Sequence, residues 1–138
     1  MTYASKAEIE DRFGDEALLF AADRDADGAL DLEAVEKAIA DSSAEIDTYV
    51  SQRYSVPLST VPEILVKLGC TMAMYELRFS HDVLTDEWRR RYEDAIALLK
   101  RIADGSVNLG LAVPATGSKT IEITANTRRM TRDNLGVL

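Results

Sequence analysis

Asp23, Asp25, Asp27 and Asp31 hold the first, third, fifth and ninth places of the stretch Asp23-Arg24-Asp25-Ala26-Asp27-Gly28-Ala29-Leu30-Asp31-Leu32-Glu33-Ala34. That spacing lets a loop wrap a calcium ion in carboxylate oxygens, with Gly28 at the sharp turn and the Ala29 carbonyl as a further donor. The twelfth place, where a bidentate acid closes the shell, holds Ala34, and Glu33 comes one residue too early to replace it. No second Asp-x-Asp-x-Asp-Gly occurs to pair with the first. The stretch therefore reads first as an Asp/Gly-rich turn between two helices, its aspartates capping backbone amides and Asp31 starting the next helix. A calcium-responsive binding protein with a weak Ca²⁺ site at Asp23, Asp25, Asp27 and Asp31 is the alternative; no other metal or cofactor is expected.

The remaining reactive side chains are few. Cys70 is the one cysteine, set in the apolar pattern Leu68-Gly69-Cys70-Thr71-Met72, so it reads as a buried thiol and excludes an internal disulfide or a thiolate metal cluster. His81 is the one histidine and falls in an interhelix loop. Without a nucleophile and base at workable spacing, or a glycine loop that cradles phosphate, the chain reads as a non-enzyme. Its 138 residues fit one domain plus a tail, and its net charge of -8 disfavours nucleic-acid phosphates as ligands of the main surface. No apolar run reaches a membrane span and the N-terminus lacks a signal-peptide pattern, so synthesis in the cytoplasm without membrane attachment is expected.

Four to five helices must position these groups. Ser5-Lys6-Ala7-Glu8 fits a capping box that starts a first helix near Lys6, with Gly14 interrupting it. Val35, Ile39, Ser42, Ile46, Tyr49 and Arg53 recur three and four apart, which predicts one long central helix from Asp31 or Leu32 to about Tyr54, with small residues at its middle for close helix approach. Thr60 is the expected cap of the next helix, whose buried face runs through Ile64, Leu65, Leu68, Met72, Tyr75 and Phe79. A last helix runs from Thr85 through Trp88, Tyr92, Ile96, Leu99 and Ile102 to Gly105, leaving Arg89, Arg90 and Arg91 off its apolar line. The fold class is mainly α: a small four- to five-helix bundle over residues 1–105.

Residues 106–138 lose helical periodicity and read as an extended C-terminal docking arm with one short β-strand candidate, Thr120-Ile121-Glu122-Ile123-Thr124. Lys119, Arg128, Arg129 and Arg132 outnumber Glu122 and Asp133 there, the reverse of the acidic body. A basic arm with apolar anchors on an acidic body invites contact with another subunit or a partner.

Ala44-Glu45-Ile46-Asp47-Thr48-Tyr49-Val50-Ser51-Gln52-Arg53-Tyr54-Ser55-Val56-Pro57-Leu58 has a helical run that ends in an Arg-Tyr pair and a proline turn. It resembles the signature of a family of small proteins from the morphogenesis modules of Mu-like phages and prophages. Tyr3-Ala4-Ser5 with Glu8-Ile9 and Arg12-Phe13-Gly14, Arg91-Tyr92 with Ala95-Ile96 and Leu99, and Gly105-Ser106-Val107 with Leu109 extend the resemblance over most of residues 3–110. Around Arg129-Met130 and Arg132-Asp133 it is looser.

The resemblance implies head completion: a connector adaptor at the virion's head-tail junction, made in the host cytoplasm. About twelve copies would form a ring under the portal protein, with a downstream tail-completion or stopper protein below. DNA would pass through the channel without specific binding. Expected subunit or portal contacts are Thr120, Ile121, Ile123, Arg128, Arg129 and Arg132 of the arm and Asp47, Tyr49, Arg53 and Tyr54 of the body. For those four a second reading stands beside the first, with the tyrosines in the core and Asp47 and Arg53 in an intramolecular ion pair.

Overall fold

Five helices follow one another along the chain: α1 Lys6–Phe13, α2 Asp15–Ala22, α3 Leu32–Val50, α4 Glu63–Ser80 and α5 Asp86–Ala103. They are seen in a computed structural model that describes residues 1–115. The strand candidate Thr120–Thr124 and the arm residues Arg128, Arg129 and Arg132 lie outside the described residues, among which no strand occurs. None of the helices described is long and apolar enough to cross a membrane.

The local signals act as their chemistry requires. Ser5 caps α1 in a full capping box, its hydroxyl accepting from the Glu8 amide and Glu8 reaching back to the Ser5 amide at 2.8 Å. Gly14, at φ 88°, breaks α1 from α2 in a backbone conformation that L side chains resist. Asp31 caps α3 by accepting from the Ala34 amide, and Thr85 caps α5 by accepting from the Trp88 amide.

Two of the expected boundaries move. α3 ends at Val50, and residues 51–54 continue as hydrogen-bonded turns on the Val50 and Tyr49 carbonyls, which swing the chain toward Leu58. α4 takes Pro62 as its N-cap with no side-chain cap bond, so Thr60 stands outside the helix; proline fixes φ for entry and lacks only an amide that would be unpaired anyway. Phe79, expected on the buried face of α4, is instead 62% exposed, its ring stacked on Tyr75 in the last turns of the helix.

α4 lies between two apolar clusters. One joins α1, α2, the first half of α3 and the second half of α4, around Ile9, Leu18, Val35, Met74 and Leu77. The other joins the second half of α3, the first half of α4 and α5, around Ile46, Val50, Leu65, Met72, Leu99 and Ile102. The N-terminal segment enters both clusters, Ala4 the first and Tyr3 the second, at 4% and 2% exposure. They fit because Gly69 of α4 lacks a side chain: a Cβ there would stand 3.2 Å from the Tyr3 Cβ and 3.3 Å from the Ala4 Cβ. At the middle of α3, Ser42 and Ser43 are buried, and Ser43 accepts a hydrogen bond from the Tyr3 amide at 3.2 Å. The small residues of the seam thus admit the N-terminal segment as well as a helix.

Candidate functional site

The Asp-rich stretch is a turn held by its own carboxylates. Asp23 accepts from the amides of Asp27 and Gly28, both at 3.1 Å, and Asp27 accepts from the Ala29 amide at 2.7 Å. The Asp31 amide donates to the Ala22 carbonyl, closing the loop across the α2 and α3 ends. Asp23, Asp25 and Asp27 bring oxygens within 4.8 Å of one another. Asp31 spends one oxygen on the α3 cap at 3.1 Å, and Ala34, at the position where a closing acid would be needed, is buried.

The segment after α3 is built into the body. Asp47 accepts from the Tyr3 hydroxyl at 2.5 Å and lies 3.6 Å from the N-terminal amino group. Burial and the Asp47 carboxylate push the Tyr3 phenol above its ordinary pKa. Tyr54 is 2% exposed, and its hydroxyl donates to Asn108 Oδ1 at 3.2 Å while accepting from the Leu109 amide at 3.1 Å. Asn108 in turn accepts from the Gly110 amide, so Tyr54 and Asn108 pin the chain leaving α5. Val107, Leu109 and Leu111 pack on the second cluster beside Tyr49.

Arg53 is half-buried against the end of α5, where a Cβ on Gly105, at φ 87°, would overlap its guanidinium. Its Nε is buried without a hydrogen-bond partner, and its cation lies 6.0 Å from the Tyr54 ring centre. Among the described residues Asp47 and Arg53 form no ion pair: Asp47 turns to the N-terminus and Arg53 to Gly105. Of the four body residues expected at contacts, Tyr54 is thus enclosed, whereas Asp47, Tyr49 and Arg53 keep part of their surface.

Sequence reasoning missed a groove between α1, α4 and α5, of about 500 Å³, floored by Phe13, Ile64 and Leu98 and rimmed by Arg12, Lys67 and Arg91. It exists because α1 is only 8 residues long and cannot cover the α4–α5 seam. Arg12 pairs with Glu63 across the rim and Arg91 with Glu87 along α5, while the Arg91 guanidinium stacks 4.9 Å from the Trp88 ring centre. The Arg89–Arg91 run is therefore split, with Arg91 on the groove. Its lining comes from three separate stretches of the sequence, around Arg12-Phe13, Ile64 to Thr71 and Arg91 to Leu98, so no local pattern announces it.

Cys70 is fully buried behind this groove, and burial pushes its thiol up to about 11, which fits an inert core cysteine. His81 caps the C-terminus of α4. On the other side of α4, Tyr92 donates to Glu45 at 2.7 Å, and burial with the charges of Glu45 and Asp41 raises the Glu76 carboxyl above its usual pKa. A carboxyl with a raised folded pKa contributes stability that is complete at low pH and is lost as pH rises through that value. Glu76→Gln is accordingly expected to raise the melting temperature at pH 7, with the gain over wild type shrinking as pH falls through the carboxylate range; thermal melts across pH check it.

A family model described as Bacteriophage Mu, Gp36 matches residues 3–125, the greater part of the chain. The chain is 40% identical over 84 residues to the Mu-like prophage FluMu protein gp36 of Haemophilus influenzae, covering 61% of this chain and 58% of that protein. It is 35% identical over 86 residues to gene product J of Escherichia phage Mu, covering 62% and 60% respectively. The matched stretch thus spans about three fifths of each relative's length.

Proposed function

Because the chain belongs to the Bacteriophage Mu Gp36 family, we propose that it is a structural head-completion protein, an adaptor ring beneath the portal that joins the DNA-filled head to the tail. The observation that carries this reading is the family match itself, which runs through the whole helical body and beyond its last described residue. The body supports it in two ways. It is acidic, so a face lining the channel repels DNA phosphates and lets the genome slide. Its chain leaves α5 along an anchored path, through Val107, Leu109 and Leu111, so that the residues after 115 would be free to serve as the docking arm. In the virion the protein would meet the portal above, a tail-completion or stopper protein below, and copies of itself beside it.

The test is to mix the protein with its cognate portal and count copies by native mass spectrometry. A stoichiometric ring with the portal's symmetry, about twelve copies, is expected. An intact portal that binds none would overturn the adaptor role. In this reading the Asp23–Asp31 loop is a helix-linking turn, so adding Ca²⁺ is expected to leave the melting temperature unchanged. A rise that Asp25→Ala abolishes would instead favour the calcium-responsive alternative.

A further inference from the structure

Two surface features of the body lack a partner, and their chemistry is complementary. The groove between α1, α4 and α5 is apolar at its floor, and its lining carries Arg12, Lys67 and Arg91 against one acid, Asp94. This concentration of cations runs against a chain in which 24 acids outnumber 16 bases. Glu63 and Glu87 pair with Arg12 and Arg91, but their side chains are 81% and 69% exposed, and such pairs exchange readily for others. Lys67 has no ion pair among the described residues.

The opposite character appears at one end of the bundle. The Asp31 amide bonds the Ala22 carbonyl, Arg24 bonds Ser80, and Arg78 lies 5.6 Å from the Phe20 ring centre, which together place the α2 C-terminus, the α3 N-terminus and the α4 C-terminus side by side. Phe20, Leu32 and Phe79, which belong to these three ends, are 58%, 56% and 62% exposed, more than any other large apolar side chain described. Their sequence neighbours are mostly acidic: Asp23, Asp25 and Asp27 in the loop, Glu33 beside Leu32 and Asp82 beyond the α4 end outnumber the cations Arg24 and Arg78. Along α4 the groove residue Lys67 and the pole residue Phe79 are about 18 Å apart by helical rise, while on the α2 side Arg78 and Trp88 stand between Phe20 and the groove residue Arg91.

We infer that the acidic, apolar pole of one copy seats in the cation-rimmed groove of the next. The contact joins two different surfaces, so it is heterologous: it repeats head to tail and closes into a ring when the rotation per copy allows. The apolar residues supply contact area, and the opposed charges set register and exclude the pole-to-pole and groove-to-groove alternatives. This deepens the adaptor reading and rests on its ring, naming the faces that meet within it.

The experiment uses full-length Lys67→Cys in the groove and Leu32→Cys at the pole, each with the buried Cys70 retained, and wild type as control. A short bis-maleimide is added to each variant alone and to an equal mixture, with and without portal, and denaturing gels read the dimer. The mixture is expected to give several-fold more dimer than either variant alone, and the double variant a ladder. Portal-bound rings with no excess of dimer in the mixture would overturn the groove-to-pole contact and leave the adaptor role standing. Excess dimer without portal binding would support the contact and remove the adaptor role. No cross-linking and no association in any arm would overturn both.

Discussion

Tyr3→Ala is expected to destabilise the body by about 3–5 kcal/mol, the range for truncating a buried aromatic. The ring is 2% exposed and belongs to the cluster of Ile46, Met72 and Leu99, so alanine leaves a cavity where α3, α4 and α5 meet. For a body of this size the melting temperature should fall on the order of 10–20 °C. Tyr3→Phe keeps the ring and removes only the bond to Asp47, whose side chain retains 26% exposure and is rehydrated, so its cost should be about 0.5–1.5 kcal/mol. Gly69→Leu reaches the same end by another route, since its Cβ alone already stands 3.2 Å from Tyr3 and the rest of the side chain must expel the N-terminal segment. Urea melts of the three variants rank them; a Tyr3→Ala protein as stable as wild type would show that the N-terminal segment does not hold the core.

The same residue gives the alkaline limb its sign. Burial and Asp47 raise the phenol above its ordinary value of 10.0, so the unfolded chain ionises first as pH climbs. Stability contributed by the neutral phenol is present below pH 10 and is lost above it, and Tyr3→Phe should lose less there than wild type. Tyr92, raised by burial and by Glu45, and Cys70, raised by burial, add limbs of the same sign.

How much of this was legible in the sequence depended on whether the signal was local. The capping box at Ser5, the break at Gly14, the caps at Asp31 and Thr85 and the stop near Gly105 each need only a few neighbouring residues, and all five appear as expected. The buried Cys70 follows from helical periodicity in the same way. Tyr3 was recognised only as part of a motif, because nothing in Met1 to Ser5 shows that Gly69, 66 residues away, leaves room for it. Phe79 fits the apolar period of α4 and is still exposed, because periodicity gives a face and not which positions on it a neighbour covers. Tyr49 and Tyr54 could not be divided between core and contact by pattern, and it is Asn108 and Leu109, far along the chain, that enclose Tyr54. The groove was invisible for the same reason: it is the space left by the shortness of α1, a property of three elements together.

Removing residues 116–138 should leave the melting temperature of the body within about 1 °C of the full chain while abolishing its attachment to the portal. Removing residues 106–138 should also destabilise the body itself, and the difference between the two truncations separates anchoring from docking. Val107, Leu109 and Leu111 pack on the second core cluster, the Val107 amide donates to the Arg101 carbonyl, and the Leu109 amide and Asn108 side chain satisfy the buried Tyr54 hydroxyl. The longer deletion strips all of these, leaving a hydroxyl without its partners and apolar surface open; the lost bonds alone are worth about 1–3 kcal/mol. Circular dichroism melts give the stability of each truncation, and co-sedimentation with portal gives its attachment. If the chain ending at residue 115 still co-sedimented in stoichiometric amounts, the docking surface would have to lie on the body, with Arg53 and the cleft it shares with Val113 and Pro114 as the first place to look.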